Sequence, residues 1–500
     1  MSFLGFIEQK FNSYNNDKVA IIDADLNQSW TYQDLLFEGQ RLAHFLHEKG
    51  TKRGDRVAIH SKNRVEHLTL LFACARIGAI LVPLNTRLTE REISEILLKV
   101  KAHVVIHGGC LHDDCLEAKH KVLFTQLSDY KASVDYSWEE IALSEPLMML
   151  FSSGTTGDPK GILLHGQMLK TNQEATCQSW KLNKDDITLV STPFFHTGGY
   201  NVLCLPLLAI GGTVVLTKQF DASKTLDLIE KYKVSVYFGV PSIFELLARE
   251  EKFDSCDLSS IRFLISGGAY CPVSLIKKYQ QKSLTFKQGF GLSEVGPNCF
   301  LLEASDAIIK LGSIGKPMPH TKALVIGEDN LEVKRGEVGE LLLAGNHVCA
   351  GYFEDEKLFQ QSLTAKYFKT GDLVRIDHDG FYYIVGRKKE MYISGGENVY
   401  PAEVEKTIGE HPEILNNVII SIDDEKWGEV GVAYIEQKKT TPKISIGELR
   451  DFLNSSLSRY KHPQYIKHVD HFDYLDNGKI NRKILKNKPE QMSEYDADRL

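Results

Sequence analysis

The sequence is poor in cysteine, and its cysteines are not spaced for a disulfide framework. Nine cysteines occur in 500 residues, an odd number that includes no C-x-x-C pair. This usage excludes a disulfide-stapled secreted scaffold. The cysteines are expected to act as small apolar residues in a reducing compartment, so we predict a cytoplasmic protein.

One stretch does concentrate metal-ligating side chains, but their spacing matches no zinc pattern. We therefore expect a surface loop here, after a strand at residues 103–106, and no metal site. The residues in question are His107, Cys110, His112, Asp113, Asp114, Cys115 and His120.

Long apolar runs and an excess of positive charge are also missing. The longest apolar stretch, residues 68–84, is interrupted by Arg76, Gly78 and Pro83, and residues 1–14 lack the pattern of a signal peptide. The net charge is −7, with no compensating basic stripe. We predict no stable membrane insertion and no nucleic-acid partner, because affinity for nucleic acid requires clustered Lys and Arg.

The chain has no internal repeat, and 500 residues exceed what one compact core usually holds. From residue 30 to about residue 286, helical and strand patterns alternate, which predicts parallel strands joined by crossover helices. Short strands with frequent glycines follow Ser313 and indicate a β-rich subdomain. The predicted fold class is α/β, with a large layered N-terminal domain at 1–387, a small mobile α+β domain at 388–486 and a polar tail at 487–500.

Several elements can be placed individually. The capping box Thr89-Glu90-Arg91-Glu92 predicts a helix through Val100, and further helices begin near Asp221, Ser242 and Pro272. Strands are predicted at 103–106, 147–151, 233–238, 261–265, 284–287, 323–326 and 339–343.

The most informative segment is the loop at residues 152–161, Ser-Ser-Gly-Thr-Thr-Gly-Asp-Pro-Lys-Gly, which follows the predicted strand 147–151. Glycines let backbone N–H groups approach anionic oxygens, and hydroxyls and a lysine add donors and charge. Pro159 and Gly161 stand where a Walker loop has glycine and Ser or Thr, so a P-loop NTPase is excluded. A nucleotide triphosphate suits this loop better than the alternative of a plain glycine turn.

Five further segments carry groups suited to chemistry. His196 lies among aromatic residues and paired glycines at 193–201, and residues 288–294 combine an aromatic ring, a hydroxyl and a carboxylate. Asp372 lies in a tight turn, where it could accept the hydroxyls of a ribose, and Arg387 could reach the same ribose or a phosphate. Lys479 follows a glycine turn. Taken singly, His196 could equally be a packed histidine and Lys479 a solvated lysine.

In this order and at these separations, the segments resemble the adenylate-forming superfamily of AMP-dependent acyl-CoA synthetases, luciferases and peptide-synthetase adenylation domains. The resemblance runs from Trp30-Thr31-Tyr32 and residues 54–58 nearly to the end of the chain. Its other motifs are the phosphate loop, Gly339-Glu340-Leu341 with Gly351-Tyr352, residues 368–372, and residues 386–403.

The resemblance implies a role for each matching position. ATP or AMP would be bound by Ser152, Ser153, Gly154, Thr155, Thr156, Gly157, Lys160, Gly267, Gly268, Ala269, Gln288, Gly289, Phe290, Gly291, Ser293, Asp372 and Arg387. The catalytic group would comprise Lys479, Glu294 and His196, with Lys389 as the hinge and Glu294 and Thr155 as Mg²⁺ ligands. The acyl pocket would include His196, Gly198, Tyr200, Asn201, Gly239, Val240, Pro241 and Asn298, and Ser394, Gly395 and Gly396 would line a coenzyme A channel.

The chain departs from the family pattern at three places. Phe290 stands where the family usually has Tyr, and Ser293 where it has Thr, which keeps a stacking face and a hydroxyl. Residues 472–479 replace Pro-Arg-Thr-x-Ser-Gly-Lys and keep only Gly478 and Lys479 of that motif. This last departure puts the approach of the lysine loop in question.

The implied activity is an acyl-CoA ligase that uses ATP, Mg²⁺ and coenzyme A. A carboxylate attacks the α-phosphorus, pyrophosphate leaves, and the coenzyme A thiol then displaces AMP. No Ser-His-Asp or Cys-His nucleophile is found, and none is required.

The segments expected to line the pocket contain no acidic residue, which argues against an amino-acid substrate. They contain no Arg or Lys either, so a fatty or aryl monocarboxylic acid fits best, with Gly198 and Gly199 leaving room for bulk. The alternatives are an o-succinylbenzoate-CoA ligase, an acyl-AMP ligase that loads a carrier protein, and a nucleotide-binding protein without catalysis. The sequence leaves the oligomeric state open, with a homodimer as one expectation.

Overall fold

A computed structural model describes residues 2–109, 111–112, 115–131, 138–152, 159–269, 271–303, 305–439, 442–454, 456–475 and 480–486. Its strands are β1 Val19–Asp23, β2 Gln28–Thr31, β3 Arg56–His60, β4 Ile80–Pro83, β5 Ala102–His107, β6 Ala118–Leu123, β7 Pro146–Ser152, β8 Lys160–His165, β9 Ile187–Val190, β10 Thr213–Leu216, β11 Val236–Gly239, β12 Phe263–Ser266, β13 Phe286–Gln288, β14 Phe300–Leu301, β15 Lys316–Pro317, β16 Lys322–Ile326, β17 Val338–Ala344, β18 Gly351–Tyr352, β19 Leu363–Thr364, β20 Tyr367–Ile376, β21 Tyr382–Arg387, β22 Tyr392–Ser394, β23 Glu397–Val399, β24 Ile414–Asp424, β25 Gly428–Gln437 and β26 Tyr465–Val469.

The helices are α1 Phe3–Phe11, α2 Tyr32–Glu48, α3 Glu66–Ile77, α4 Glu90–Val100, α5 Phe124–Asp129, α6 Gly166–Ser179, α7 Thr197–Asn201, α8 Cys204–Ile210, α9 Ala222–Tyr232, α10 Pro241–Arg249, α11 Val273–Gln281, α12 Asp306–Ile309, α13 Glu356–Gln361, α14 Pro401–Ile408, α15 Ile446–Leu453 and α16 Arg482–Lys486. Short 3₁₀ turns occupy Glu251–Phe253 and Arg459–Lys461.

Local signals place these elements well. The capping box predicted for α4 is present, because the Thr89 hydroxyl accepts from the Glu92 N–H and the Glu92 carboxylate accepts from the Thr89 N–H. Asp221 caps α9 through a single hydrogen bond, with its side chain accepting from the Lys224 N–H. The strand predicted at 233–238 starts later, at Val236, because Lys233 adopts a left-handed φ of 52° to end α9.

Two seven-stranded sheets build the large domain. The strand orders are β13-β12-β11-β9-β10-β1-β2 and β18-β8-β7-β4-β3-β5-β6. The first sheet is parallel except where β2 joins it, and the second is parallel except for β8 and β18. Crossover helices separate most of the parallel strands, so the predicted α/β class is confirmed.

The main core lies between the two sheets. It joins buried side chains of both sheets, such as Ile21 and Ile59, to those of α2 and α3, such as Leu42 and Phe72. The far side of the first sheet packs against α9, α10 and α11 through a second apolar cluster that includes Phe244. Because both faces of the first sheet are covered, its chemistry is confined to the strand ends.

Three smaller sheets complete the described part of the chain, and one of them is the two-stranded pair of β14 and β15. The β-rich subdomain has the order β16-β17-β20-β19, with β21 paired to β20, and the C-terminal sheet has the order β23-β22-β25-β24, with β26 parallel to β25. The C-terminal sheet has its own apolar core with α14 and α15. This separate α+β unit agrees with the predicted architecture, whereas its exact limits stay a prediction.

Among the described residues, no helix is long and apolar enough to cross a membrane. Eight cysteines lie in the described ranges, all as free thiols. In the His- and Cys-rich stretch, the His112 N–H and the Cys115 thiol both donate to the Glu90 carboxylate. Cys110, Asp113 and Asp114 lie outside the described residues.

Candidate active site

The carboxyl ends of β12 and β13 bring two predicted nucleotide-binding segments together. The Gly289 N–H donates to the Ser266 carbonyl at 2.8 Å, and a Cβ added to Gly267 would lie 3.4 Å from the Gly289 carbonyl oxygen. Gly268 has a φ of 83°, which favours glycine. This edge of a parallel sheet is where open α/β folds bind ligands, and Ala269 follows the two glycines there.

The segment after β13 turns back on itself tightly. A Cβ on Gly291 would lie 2.2 Å from the Gly296 carbonyl oxygen, so only glycine fits. The Phe290 carbonyl accepts from the Cys299 N–H, and the Phe290 ring meets the Phe300 ring edge-on at 5.5 Å. Phe290 is half-buried, and its stacking on a base stays a prediction. The Gln288 amide instead donates to the Ser313 carbonyl.

Glu294 lies among cationic groups. The Tyr352 hydroxyl donates to its carboxylate at 3.3 Å, and the Lys160 ammonium lies 5.6 Å from the centroid of the Tyr352 ring. Burial raises the pKa of Glu294 above its ordinary value, while Tyr352, Arg387 and Lys160 act in the opposite direction. A carboxylate held in this way is a hard oxygen donor suited to Mg²⁺.

Asp372 and Arg387 face each other on adjacent strands. They are register partners of β20 and β21, with Arg387 Nε 2.7 Å from Asp372 Oδ1, and Asp372 is 3 % exposed. Arg387 also donates to the Thr370 carbonyl. The Thr370 hydroxyl accepts a hydrogen bond from the Asp372 N–H. The carboxylate predicted to lie in a tight turn thus lies in a strand and is paired with Arg387, and its role in ribose binding stays a prediction.

The predicted hinge is flanked by anchors on two sides. Lys388 is tied to the large domain, because its ammonium lies 2.8 Å from Glu340 Oε2 and its N–H donates to the Gly371 carbonyl. On the other side, Arg482 lies 3.9 Å from Glu390 and 2.6 Å from Glu405 of α14. Lys389 stands between these anchors. Its pKa is lowered by burial and by the charges of Arg387, Lys160 and Lys483.

The phosphate loop connects two antiparallel strands. Ser152 ends β7 and pairs with Lys160, which begins β8. No helix follows the loop directly, which agrees with the exclusion of a Walker loop. Ser153, Gly154, Thr155, Thr156 and Gly157 of this loop lie outside the described residues, as does the predicted catalytic Lys479.

The predicted acyl pocket is shaped by Phe238, which lies in a segment expected to line the pocket, 237–241, but was not named as a site residue. A Cβ on Gly198 would lie 2.9 Å from the Phe238 ring, and one on Gly267 would lie 3.5 Å from it. Phe238 thus separates the loop of His196 from the nucleotide side and lines a small cavity with Gly198 and Gly199. Gly199 leaves no extra room, because a Cβ there would meet the Pro193 carbonyl oxygen at 2.5 Å.

Two other predicted pocket residues serve the core instead. Tyr200 is fully buried, and its hydroxyl contacts the backbone carbonyl and Nδ1 of His67 at 3.3 and 3.2 Å. It follows the glycines on a short helix, which turns its ring inward. Asn298 donates to Thr176 and to the carbonyls of Asn201 and Val202, so it fixes α7 against α6. Gly239, Val240 and Pro241 make the junction from β11 to α10.

The predicted coenzyme A segment is a two-residue hairpin turn. Ser394 pairs with Glu397, and the intervening Gly395 and Gly396 have φ values of 59° and 86°. Positive φ at both central residues is what a type I′ turn requires. A Cβ on Gly395 would lie 2.9 Å from the exposed Trp427 ring. The two glycines therefore have a local structural reason as well as the proposed functional one.

Tyr352 is a second functional candidate whose role sequence reasoning missed. It was noticed only as part of a linking motif, yet it contacts both Lys160 and Glu294. No spacing along the chain predicts this, because β18 reaches Lys160 by pairing with β8.

The chain matches the AMP-binding enzyme family over residues 7–353 and the AMP-binding enzyme C-terminal domain over residues 403–479. It therefore belongs to this family of adenylate-forming enzymes, as the motifs predicted.

Similar proteins show which kind of adenylate-forming enzyme this chain is. A feruloyl-CoA synthase from Amycolatopsis sp is 34% identical over 453 residues, which cover 90% of this chain and 92% of that protein. The structure of o-succinylbenzoate CoA synthetase from Bacillus subtilis with its acyl-adenylate intermediate has a TM-score of 0.87 at 28% identity, covering 97% and 98% of the two chains. ATP-bound MatB from Rhodopseudomonas palustris has a TM-score of 0.90 at 25% identity, covering 98% and 99%. The chain is an AMP-forming acid–thiol ligase that uses ATP, Mg²⁺ and coenzyme A.

Proposed function

We propose that this ligase activates a fatty or aryl monocarboxylic acid, with Glu294, Lys160, Asp372, Arg387 and Lys479 as its principal nucleotide-site residues. The convergence of Lys160 and Arg387 on Glu294 carries the proposal. The apolar wall of Phe238 and its glycine neighbours supports an apolar acid.

In the first half-reaction, the carboxylate of the acid and the α-phosphate of ATP must approach each other although both are anions. Lys160 and Arg387 reduce this repulsion, and Lys479 bridges carboxylate and phosphate. Phe290 stacks on adenine, and Asp372 accepts from the ribose hydroxyls. Loss of one such charged group is expected to raise the barrier by about 3 kcal/mol.

The residues present fit a magnesium ion. Glu294 offers a carboxylate oxygen beside the cationic cluster that would receive the phosphates, and Thr155 is the second predicted ligand. Bound there, Mg²⁺ neutralises charge on the phosphate oxygens.

In the second half-reaction, the coenzyme A thiol attacks the acyl carbon and AMP leaves. Lys479 would then obstruct the thiol, so the small domain turns about Lys389 and brings the turn at 394–397 to the site. The anchors at Lys388 and Glu390 confine this movement to one residue.

The test separates the two half-reactions. Lys479→Ala is expected to suppress adenylation, measured by pyrophosphate exchange into ATP, far more than thioester formation from supplied acyl-adenylate. Lys486→Ala, an exposed lysine of the same domain, serves as the control and should change neither. Equal losses in both assays would contradict the role of Lys479.

Other functions considered for this site predict different results in these assays. A carrier-loading enzyme would consume little free coenzyme A while releasing AMP, and a non-catalytic binder would exchange no pyrophosphate. One observation, the buried ammonium of Lys287 described below, favours an acid with a second carboxylate, as in an o-succinylbenzoate-CoA ligase. We propose a cytoplasmic location because the described cysteines are free thiols. A homodimer stays a prediction, which light scattering can test.

A further inference from the structure

One row of side chains on the first sheet runs from the acyl pocket to a buried cation. Phe238 is the register partner of Ile265, and Ile265 is the register partner of Lys287. Partners in adjacent parallel strands point to the same face, so the three side chains lie side by side across two interstrand spacings, about 10 Å. Phe238 and Ile265 belong to one apolar cluster on this face, while Phe286 packs on the opposite face.

Lys287 is buried without an anionic partner. The residue is only 7 % exposed, and its ammonium lies 4.8 Å from the centroid of the Phe263 ring. Over the part of the chain that the structure describes, no hydrogen bond or ion pair reaches this ammonium. Buried charges are normally paired, and Glu303 acts on this ammonium without bonding to it, so a ligand could supply a bonded counter-charge.

The surroundings disfavour a charged ammonium, and an anionic ligand would relieve this effect. Burial lowers the pKa of Lys287, and the charges of Lys181 and Arg262 lower it further, opposed only by Glu303. Arg262 is already engaged by the Asp186 carboxylate. The cation left to a ligand is therefore Lys287.

We propose that Lys287 is a specificity-determining residue that binds an anionic oxygen at the far end of the acid, such as a second carboxylate. The ammonium leans over Phe263, two residues before Ile265 on β12, and so away from the strand ends where the nucleotide is bound. An acid joined to the nucleotide at the strand ends and extending past Phe238 along this face would point its far end toward Lys287. This inference rests on the ligase chemistry of the proposed function, and it replaces the monocarboxylic acid by an acid that carries a second anionic group at its far end.

The experiment compares acids matched in length that differ only at the far end, octanoate with octanedioate and cinnamate with 4-carboxycinnamate. AMP release is measured with ATP, Mg²⁺ and coenzyme A. Wild type should prefer the acid with the distal carboxylate in at least one pair. Lys287→Met should lower kcat/KM for that acid about tenfold or more and change the plain acid by less than about twofold. Lys287→Arg should restore part of the preference.

Lys316→Met is the control for the ring contact, because this lysine also lies over a phenylalanine ring, 4.4 Å from the centroid of Phe381, but is exposed and away from the row. It should leave the preference unchanged. Equal losses for both acids in Lys287→Met, or a wild type without preference in either pair, would overturn the assignment and leave Lys287 a lysine whose stem covers apolar surface. A wild type that forms no thioester with any acid would instead contradict the proposed function.

Discussion

Glu294 shows how a single residue depends on its neighbours. Its carboxylate must be ionised to act as a metal ligand, yet burial favours the protonated form and raises its pKa. The Tyr352 hydroxyl and the charges of Arg387 and Lys160 oppose that effect. The balance sets the lowest pH at which the site is competent.

We expect Glu294→Gln to lower the adenylation rate by about 100-fold or more, because a charge-stabilising group is lost. In wild type, the rate should rise with pH as Glu294 loses its proton, with a midpoint above 4.5, the ordinary value. Pyrophosphate exchange measured across pH checks both statements.

Tyr352→Phe is the companion variant. Removing the hydroxyl that donates to Glu294 takes away an interaction that lowers the pKa of Glu294. The acidic limb of the pH–rate profile should therefore move to higher pH, while the maximal rate is kept. A limb that stays in place in Tyr352→Phe would show that Glu294 does not set it.

At the scale of elements, the hairpin of β22 and β23 is the part of the small domain expected to reach the site during thioester formation. Gly395 cannot be changed cleanly, because its Cβ would meet Trp427, whereas a Cβ on Gly396 would meet nothing within 4 Å. Gly396 is therefore the better position for testing the turn.

Gly396→Ala places a side chain at a φ of 86°, at a cost of about 1–2 kcal/mol. We expect thioester formation from supplied acyl-adenylate to slow by about tenfold, since the turn shifts to relieve strain. Pyrophosphate exchange should stay within about twofold. Rapid-quench measurement of each half-reaction gives the two rates.

Gly336→Ala is matched to this variant, because Gly336 also has a positive φ, 92°, and open space around it, but lies in the β-rich subdomain. It should lower stability by a similar amount and spare the thioester step. A comparable slowing in Gly336→Ala would mean that lost stability, and not the hairpin, is responsible.

At the scale of the whole molecule, the buried His347 and the half-buried His320 couple the stability of the large domain to pH. His320 and His347 meet edge-on at 4.7 Å, and burial lowers their pKa values to about 4 and about 3. The loop of His347 also contacts the site, since the Cys349 N–H donates to the Glu294 carbonyl. Protonation of either ring would leave a charge where little water can reach.

The free energy of unfolding should be highest above pH 6.5, where both states carry neutral rings, and should fall as pH decreases from 6.5 toward 4. Over that range the unfolded chain binds protons that the folded chain does not, at a slope of up to about 1.4 kcal/mol per pH unit for each histidine. Urea denaturation at several pH values measures this slope.

His347→Gln should make that slope shallower, whereas His378→Gln, at an exposed position of the same domain, should not alter it. A slope identical in wild type and His347→Gln would exclude His347 as its source.

The sequence alone determined the features that depend on neighbours along the chain. The capping box at Thr89, the Asp221 cap and the strand before Ser152 follow from local hydrogen bonding and hydrophobic pattern, and each is found where predicted. The order of the motifs along the chain was likewise enough to predict the family, because each motif is a short segment whose chemistry can be inferred from its residues alone.

Only the tertiary structure decided which side chains share a site. Tyr200 lies within a predicted segment yet faces His67 in the core, because a short helix turns it inward. Tyr352 reaches Glu294, and Lys287 joins the row of Phe238, through strand pairing between distant segments. A scan of the pocket segments finds no cation, because register across a sheet sets such neighbours and spacing along the chain does not encode it.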